Sequence, residues 1–101
     1  MTYTLTIEIS KTFPQIAHIM SEDCLMEFIK TPITQLNSYH FGLGLWIRNN
    51  LLQPKSKLYQ EFIKNGFDFK DDMSTMIIIM LHYYLNIGLS FNAAVDTLTI
   101  E

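Results

Sequence analysis

Charged residues are missing from two long blocks of the chain. Between Thr31 and Pro54 the only charged side chain is Arg48, and residues 73–95 contain none. The segment that joins the two blocks, residues 55–72, carries eight charges. Because charged side chains are seldom buried without a partner, this distribution predicts two buried segments connected by a solvated one.

The composition restricts the class of protein. Of the 101 residues, 49% are hydrophobic and 17% are charged, whereas about a quarter of the residues in a typical soluble domain are charged. A disordered chain and a polybasic nucleic-acid arm are therefore excluded. The length fits one domain, residues 1–101.

The charge and the apolar runs limit the expected partners. The formal net charge of −3 repels a phosphate backbone, so we expect no nucleic-acid partner and a basic protein in its place. The apolar run at residues 76–81 is interrupted by His82 and Asn86 before it reaches the roughly 20 residues of a spanning helix, so we expect no membrane partner. The lack of a signal-peptide pattern makes the cytoplasm the expected location, and a single cysteine, Cys24, gives no internal disulfide.

Apolar spacing and capping residues predict five helices. Pro14 suits the first turn of a short helix, Ser21 is the expected cap of the second helix, and Pro32 ends that helix. The third and fifth helices fall in the charge-poor blocks and form the expected buried centre, with Gly88 ending the fifth. The predicted ranges are 15–20, 22–31, 37–52, 57–64 and, after a cap at Asp71 or Asp72, up to 87.

The two ends of the chain share a short repeat. Residues 2–10 alternate between polar and apolar side chains, which predicts a half-buried strand within residues 1–12. The pentapeptide Thr-Leu-Thr-Ile-Glu of residues 4–8 recurs at residues 97–101. Either the two copies pair as a two-stranded ribbon, within one chain or across a homodimer, or the repeat is a coincidence and the tail, residues 90–101, contains a short helix at 92–96. The expected fold is mainly α: a compact five-helix single domain whose helical core covers residues 13–89, with the ribbon left open.

The most distinctive stretch surrounds Arg48. If it is helical, His40, Gly44 and Arg48 lie on one stripe, four residues apart. A glycine inside a helix costs about 1 kcal/mol relative to alanine, so Gly44 suggests the close approach of another group. One interpretation is an anion site built from Arg48 with His40 and Asn49; the favoured one is a buried ion pair of Arg48 with Asp71 or Asp72, because an uncompensated buried guanidinium is costly.

This stretch also resembles a known family. The pattern His-Phe-Gly-Leu-Gly-x-x-Ile-Arg-Asn at residues 40–49, followed by Asp-Asp-x-Ser at residues 71–74, is similar to a small bacterial domain family of unknown function. The resemblance covers about residues 13–89. It implies a compact, mostly helical fold, it implies no activity, and it agrees with a pairing of Arg48 and an aspartate.

No catalytic or metal-binding pattern stands out. His18, His40 and His82 lack the spacing of a metal site, and Cys24 has no base near it in sequence. Asp68, Asp71 and Asp72 could hold a divalent cation, although a solvated turn and a helix cap explain them better. We therefore expect no metal, no cofactor and no enzymatic activity.

The expected function is that of a non-enzymatic protein-binding inhibitor, such as a toxin-immunity protein or a small phage or plasmid anti-defence inhibitor. Acidic side chains would attract a basic partner, and an aromatic ring would anchor it. The alternatives are a small anion-ligand-binding or enzymatic domain that uses His40 and Arg48, and a self-associating structural protein. Tyr83 and Tyr84 are further aromatic candidates for a binding surface. The predicted partner-binding residues are Glu61, Phe67, Asp68, Phe69, Asp71 and Asp72.

Overall fold

The computed structural model describes the backbone of residues 1–99 and the side chains of residues 1–88. Over this range the fold is mainly helical and contains no strand. The prediction of a mainly α domain is thus confirmed, whereas the count of five helices is wrong. The elements are six α-helices and one 3₁₀ helix: α1 Tyr3–Ser10, α2 Phe13–Ile19, α3 Glu22–Lys30, the 3₁₀ helix Ile33–Tyr39, α4 Leu43–Asn50, α5 Lys57–Lys64 and α6 Lys70–Thr99.

Helix α6 forms the centre of the fold. It packs against α4, the 3₁₀ helix and α3, while α1 packs against α5. Met73, Ile77 and Leu81, which follow one another at intervals of four residues, are completely buried. The same spacing places their side chains on one face of the helix, so one face of α6 anchors the core.

The predicted N-terminal strand is an α-helix. The Thr2 hydroxyl accepts a hydrogen bond from the Leu5 amide (3.3 Å) and caps α1. Leu5 and Ile9, four residues apart, are both fully buried, whereas Tyr3 is exposed. The alternation of residues 2–10 is therefore compatible with a helix, and packing against α5 selects it. No ribbon can form from α1, and the second copy of the repeat lies in α6 up to Thr99; its last two residues are outside the described residues.

The predicted third helix, residues 37–52, is two elements. The 3₁₀ helix ends at Tyr39 and α4 begins at Leu43, and the dihedral angles of Gly42 (φ −87°, ψ −85°) are not helical. Ile47 and Leu52 in this charge-poor block are buried, but Phe41 is 82% exposed. The block is therefore only partly interior, and α6 is the single long helix at the centre.

The predicted ends of the remaining helices agree in part with the structure. The Ser21 hydroxyl accepts from the Cys24 amide (3.1 Å) and caps α3, and α5 has the predicted range. Helix α6, however, continues through Gly88 to Thr99, so neither a break at Gly88 nor a strand at the tail is correct. Gly66 is the glycine with a positive φ (87°) among the described residues, and it ends α5 by adopting the left-handed conformation that Gly88 does not adopt.

Two polar side chains of α6 attach it to the end of α3. The Nε2 atom of His82 lies 2.8 Å from the carbonyl oxygen of Thr31, and the Asn86 amide donates to the carbonyl oxygen of Ile29 (3.3 Å). The last carbonyl groups of a helix lack partners within the helix. His82 and Asn86 therefore serve as partners for the carbonyl groups at the end of α3. Within the described residues, no helix is long and apolar enough to cross a membrane.

Candidate functional site

Arg48 connects α4 to the first turns of α6. Its side chain is 12% exposed. Nη1 donates to the Ser74 hydroxyl (3.0 Å), Nη2 donates to the carbonyl oxygen of His40 (3.1 Å), and Nε lies 3.5 Å from Oδ1 of Asp71. Each guanidinium nitrogen thus has an oxygen partner, which is what a largely buried arginine requires.

The glycine at position 44 makes room for this guanidinium. A Cβ atom at Gly44 would lie 2.9 Å from Nη1 of Arg48 and 3.4 Å from the carbonyl oxygen of Tyr39. Gly42, two residues earlier, has no atom within 4 Å of the corresponding position. Gly44 is therefore explained by the approach of Arg48 within its own helix, one turn away.

Asp71 bridges Arg48 and His40. Its Oδ2 atom lies 3.9 Å from Nε2 of His40, and 67% of the side chain remains exposed. The Ser74 hydroxyl, which accepts from Arg48, donates in turn to the carbonyl oxygen of Asp71 (3.0 Å). Arg48, Asp71, Ser74 and His40 form what we call the Arg48 network. Asn49 is exposed, and only its main-chain carbonyl oxygen, which accepts from Gln53 (2.7 Å), has a hydrogen bond to a side chain; Asn49 is therefore not part of this network.

The predicted partner-binding residues divide into two groups. Glu61 is only 9% exposed and lies 3.4 Å from the Lys64 ammonium, and Phe67 packs edge-on against Phe62 at a centroid distance of 4.9 Å. Glu61 is thus buried and Phe67 is partly buried against the core, so each has only part of its surface available to a partner. The others are exposed around the start of α6: Asp68, Phe69, Asp71 and Asp72.

A groove lies beside α6, between this helix and the 3₁₀ helix, α1 and α2. Two cavities, of about 350 Å³ and about 420 Å³, lie next to each other along α6 and share Ile33 and Ile79 as lining residues. We call them together the α6 groove. The first cavity is formed with the 3₁₀ helix and contains His40 in its wall; the second is formed with α1 and α2. The second is lined by Thr6, Ser10, Phe13, Met80, Tyr83, Tyr84 and Ile87, besides the two shared residues.

One stripe of α6 follows the groove along its length. Thr75, Ile79, Tyr83 and Ile87 line it at intervals of four residues, and all four are exposed. From the first to the last, the stripe extends about 18 Å at a rise of 1.5 Å per residue. The sequence predicts the two tyrosines as part of a binding surface, but it predicts that the isoleucines of this charge-free block are interior. The exposed stripe and the fully buried residues of α6 both repeat every four residues. The interval therefore separates two faces of the helix, but it does not tell which face is exposed.

The possible ligands of this region can be described from its chemistry. No three His, Cys, Asp or Glu side chains among the described residues come together as a metal site. The α6 groove offers apolar walls, hydroxyl groups, the Asn37 amide and one imidazole, whereas the Arg48 guanidinium is occupied by oxygen partners of the protein itself. The groove is thus suited to apolar or amphipathic groups rather than to small anions.

Residues 7–85 match the family model described as Domain of unknown function (DUF6794). The chain belongs to this family. The DUF6794 match begins within α1 and ends in α6, so it starts earlier and ends earlier than the expected range of 13–89. It includes the whole Arg48 network and most of the residues that line the α6 groove. No curated protein and no solved structure matches the chain.

Proposed function

We propose that this DUF6794 protein is a non-enzymatic binding protein that neutralises another protein, as a toxin-immunity protein or a small phage or plasmid inhibitor does. The observation that carries the proposal is the α6 groove, where apolar and aromatic side chains are exposed next to one another. A contiguous apolar surface on a small domain commonly marks an interaction site. We place the contact surface along α6.

The side chains of the groove are of the type that interfaces use. Tyr83 is 65% exposed and Tyr84 is 58% exposed, and the Tyr84 ring packs against Phe13 with a centroid distance of 5.1 Å. Tyrosine supplies a large apolar ring with a polar end and is enriched among the residues that dominate binding energy. The contact with Phe13 restricts the Tyr84 ring, and a side chain that is restricted beforehand loses less entropy when a partner binds.

Charge favours a basic partner. Asp68, Asp71 and Asp72 are exposed at the start of α6, next to the end of the groove that contains His40. Of the two cations nearby, Arg48 pairs with Asp71, and the Lys70 ammonium lies over the Tyr59 ring, 5.8 Å from its centroid. Of the three acids, Asp68 and Asp72 are therefore the ones without an ion pair among the described residues. Exposed charges at the rim of an interface mainly accelerate association and select the partner. The acidic end would therefore guide a basic surface towards the apolar groove.

The contacts of Arg48 count against the alternative function. An anion bound by Arg48 would have to replace Asp71 or the Ser74 hydroxyl, and the carboxylate of Asp71 would repel it. Neutralisation of a protein, in contrast, needs only that the bound domain covers a surface its target uses. A standard interface buries about 800 Å² on each partner, which the groove together with the acidic end of α6 would help to supply.

The test uses one isoleucine in the groove and one outside it. Ile87 lies in the groove and is 49% exposed, whereas Ile63 on α5 is 43% exposed and does not line it. Wild type, Ile87→Asp and Ile63→Asp are immobilised and exposed to a lysate of the organism that encodes the chain. We expect a protein that wild type and Ile63→Asp retain and that Ile87→Asp loses at least tenfold, as measured by quantitative mass spectrometry.

Co-expression then tests neutralisation. The captured protein is produced with wild type or with Ile87→Asp, and its activity or toxicity is measured. We expect wild type alone to suppress it. Capture that does not distinguish the two isoleucine variants would contradict binding through the groove, and a captured protein that stays fully active beside wild type would contradict neutralisation.

A further inference from the structure

Resting on the proposed function, we infer that the α6 groove receives an amphipathic α-helix of the partner protein, whose basic end faces Asp71 and Asp72. Three properties of the groove support this occupant: its length, the absence of backbone groups to pair with, and the position of its charges. Each leads to a different expectation for the bound segment.

The length of the groove fits a short helix. The residues of α6 that line the first cavity have a mean position near 77. Those that line the second cavity have a mean position near 83. Six residues correspond to about 9 Å along the helix. Side chains of a bound helix at positions i and i+4 are about 6 Å apart along its axis, and those at i and i+7 about 10.5 Å apart. A single helix face can therefore place one apolar side chain in each cavity, on the two sides of Ile33 and Ile79.

The walls of the groove favour a helix over an extended peptide. Peptides that bind as strands gain affinity by main-chain hydrogen bonds to the edge of a sheet, and residues 1–99 contain no strand. The groove is walled by side chains of helices, whose backbone groups are mostly bonded within the helices. An extended segment would leave its own amide and carbonyl groups without partners in an apolar site, at a considerable cost. A helix brings these groups already paired.

The charges define one end of the site. No Asp, Glu, Lys or Arg occurs in residues 73–95, so the face of the bound helix that enters the groove should also be uncharged. Asp71 lies one helical turn before Thr75 and continues the exposed stripe, and Asp72 is exposed beside it. Basic side chains on the partner helix are therefore expected at the end that lies over the first turn of α6, and acidic ones there would be repelled.

The test uses a synthetic probe. A fluorescein-labelled, acetylated helical peptide of about 16 residues, roughly 24 Å long, carries leucines at i, i+4, i+7 and i+11, two lysines at one end, and otherwise alanine, glutamine and serine. A second peptide has the same composition with the leucines distributed around the helix. A third has glutamates in place of the lysines. Binding to the full chain is measured by fluorescence anisotropy, and amide shifts of the ¹⁵N-labelled protein locate the contact.

We expect the first peptide to bind with shifts confined to residues of the α6 groove and to the first turn of α6. The scrambled peptide and the Ile87→Asp protein should each bind at least tenfold more weakly. The glutamate peptide should bind about two- to fivefold more weakly at low salt, as expected for exposed charge pairs, and Ile63→Asp should behave as wild type does. Equal binding of the aligned and scrambled peptides, or shifts outside the groove, would overturn the inference.

Other occupants give different results. If the unliganded wild type forms a dimer in sedimentation equilibrium and Ile87→Asp does not, a second copy of the chain occupies the groove and the inference of a partner helix is wrong. If the captured protein depends on Ile87 but no helical peptide tiled from its sequence competes with it, the partner binds in another conformation while the proposed function stands. Failure of the capture experiment would instead overturn the function itself.

Discussion

The Arg48 network joins α4 to the first turns of α6, and the α6 groove follows the same helix further along. The side chains of the two regions differ in whether they have partners in the protein. In the network, each nitrogen of a largely buried guanidinium has an oxygen partner of the protein. Along the groove, tyrosine and isoleucine side chains are exposed to solvent instead. Satisfied polar groups contribute to the stability of the fold, whereas exposed apolar groups are available for a partner.

The stretch that is most conspicuous in the sequence is therefore not the one that we propose for binding. The His-Phe-Gly-Leu-Gly-x-x-Ile-Arg-Asn stretch is distinctive because several unusual residues support one buried arginine. The α6 groove leaves no distinctive pattern, because Ile79 and Ile87 resemble any residue of a core helix. We therefore expect substitutions in the network to lower stability and substitutions in the groove to weaken binding.

Replacement of Arg48 by methionine should have the largest effect on stability. Methionine preserves much of the packing but leaves the His40 carbonyl oxygen without its donor and removes the ion pair with Asp71. Breaking a well-bonded, largely buried ion pair costs about 3–5 kcal/mol; because Asp71 stays largely exposed, we expect about 2–3 kcal/mol. Urea denaturation measures this loss. Asp71→Asn is the control. It removes the negative charge of the ion pair but leaves the hydrogen bonds of Arg48 to Ser74 and to the His40 carbonyl oxygen, so it should cost less free energy of unfolding.

Replacement of Gly44 by alanine should cost less, about 1 kcal/mol. Alanine favours a helix by about 1 kcal/mol over glycine, but the new methyl group would lie 2.9 Å from Nη1 of Arg48 and push the guanidinium away from Ser74. Gly42→Ala, with no atom near the added methyl group, serves as the control. In the Arg48→Met background Gly44→Ala should become neutral or stabilising. A double-mutant cycle without such a coupling would show that Gly44 has another role.

Capping and apolar spacing predicted much of the fold correctly. Ser21, Pro32 and the range of α5 could be read from the sequence because each depends on neighbouring residues. The N-terminal segment could not, since Leu5 and Ile9 satisfy both a strand alternation and a helical interval of four residues. Contact with α5, far along the chain, decides between the two.

The candidate site was predictable to a similar extent. The cost of a lone buried charge leads from Arg48 to a nearby carboxylate, and the structure places Asp71 there. The α6 groove could not be found in this way. The sequence of a continuous apolar block such as residues 76–81 does not distinguish a buried side from an exposed one. The packing of α3, α4 and the 3₁₀ helix against α6 determines which side is left uncovered.

The pH dependence of stability should reveal a second satisfied polar group. Glu8 on α1 is 8% exposed and lies 2.9 Å from the Lys11 ammonium and 3.6 Å from that of Lys57. The hydrogen bond from Lys11 holds the pKa of Glu8 below its usual value of 4.5, against the opposing effect of burial. A carboxyl group whose pKa is lowered on folding contributes stability above the unfolded pKa, and this contribution is lost as the pH falls through the folded pKa.

We therefore expect the wild type to lose stability below about pH 4.5 and Glu8→Gln to lose less over the same range. Urea denaturation between pH 7 and pH 3 measures this difference. Glu22→Gln, on the exposed first turn of α3, should follow the wild-type curve. If Glu8→Gln also follows it, the contacts of Glu8 with the two lysines do not contribute to stability.

Replacement of Tyr83 by serine should have the smallest effect on stability and is the sharpest test of the comparison. Because 65% of Tyr83 is exposed and no core residue depends on it, the free energy of unfolding should change by no more than about 0.5 kcal/mol. Binding of the helical peptide should weaken at least tenfold, as for other aromatic interface residues. Arg48→Met should show the reverse, with lower stability and, below its unfolding transition, a change in peptide affinity no larger than the roughly two- to fivefold effect of an exposed charge, because it removes only the cation beside Asp71. If Tyr83→Ser instead unfolds as readily as Arg48→Met, the α6 groove is needed to hold the fold together, and the separation of the two regions by role would be wrong.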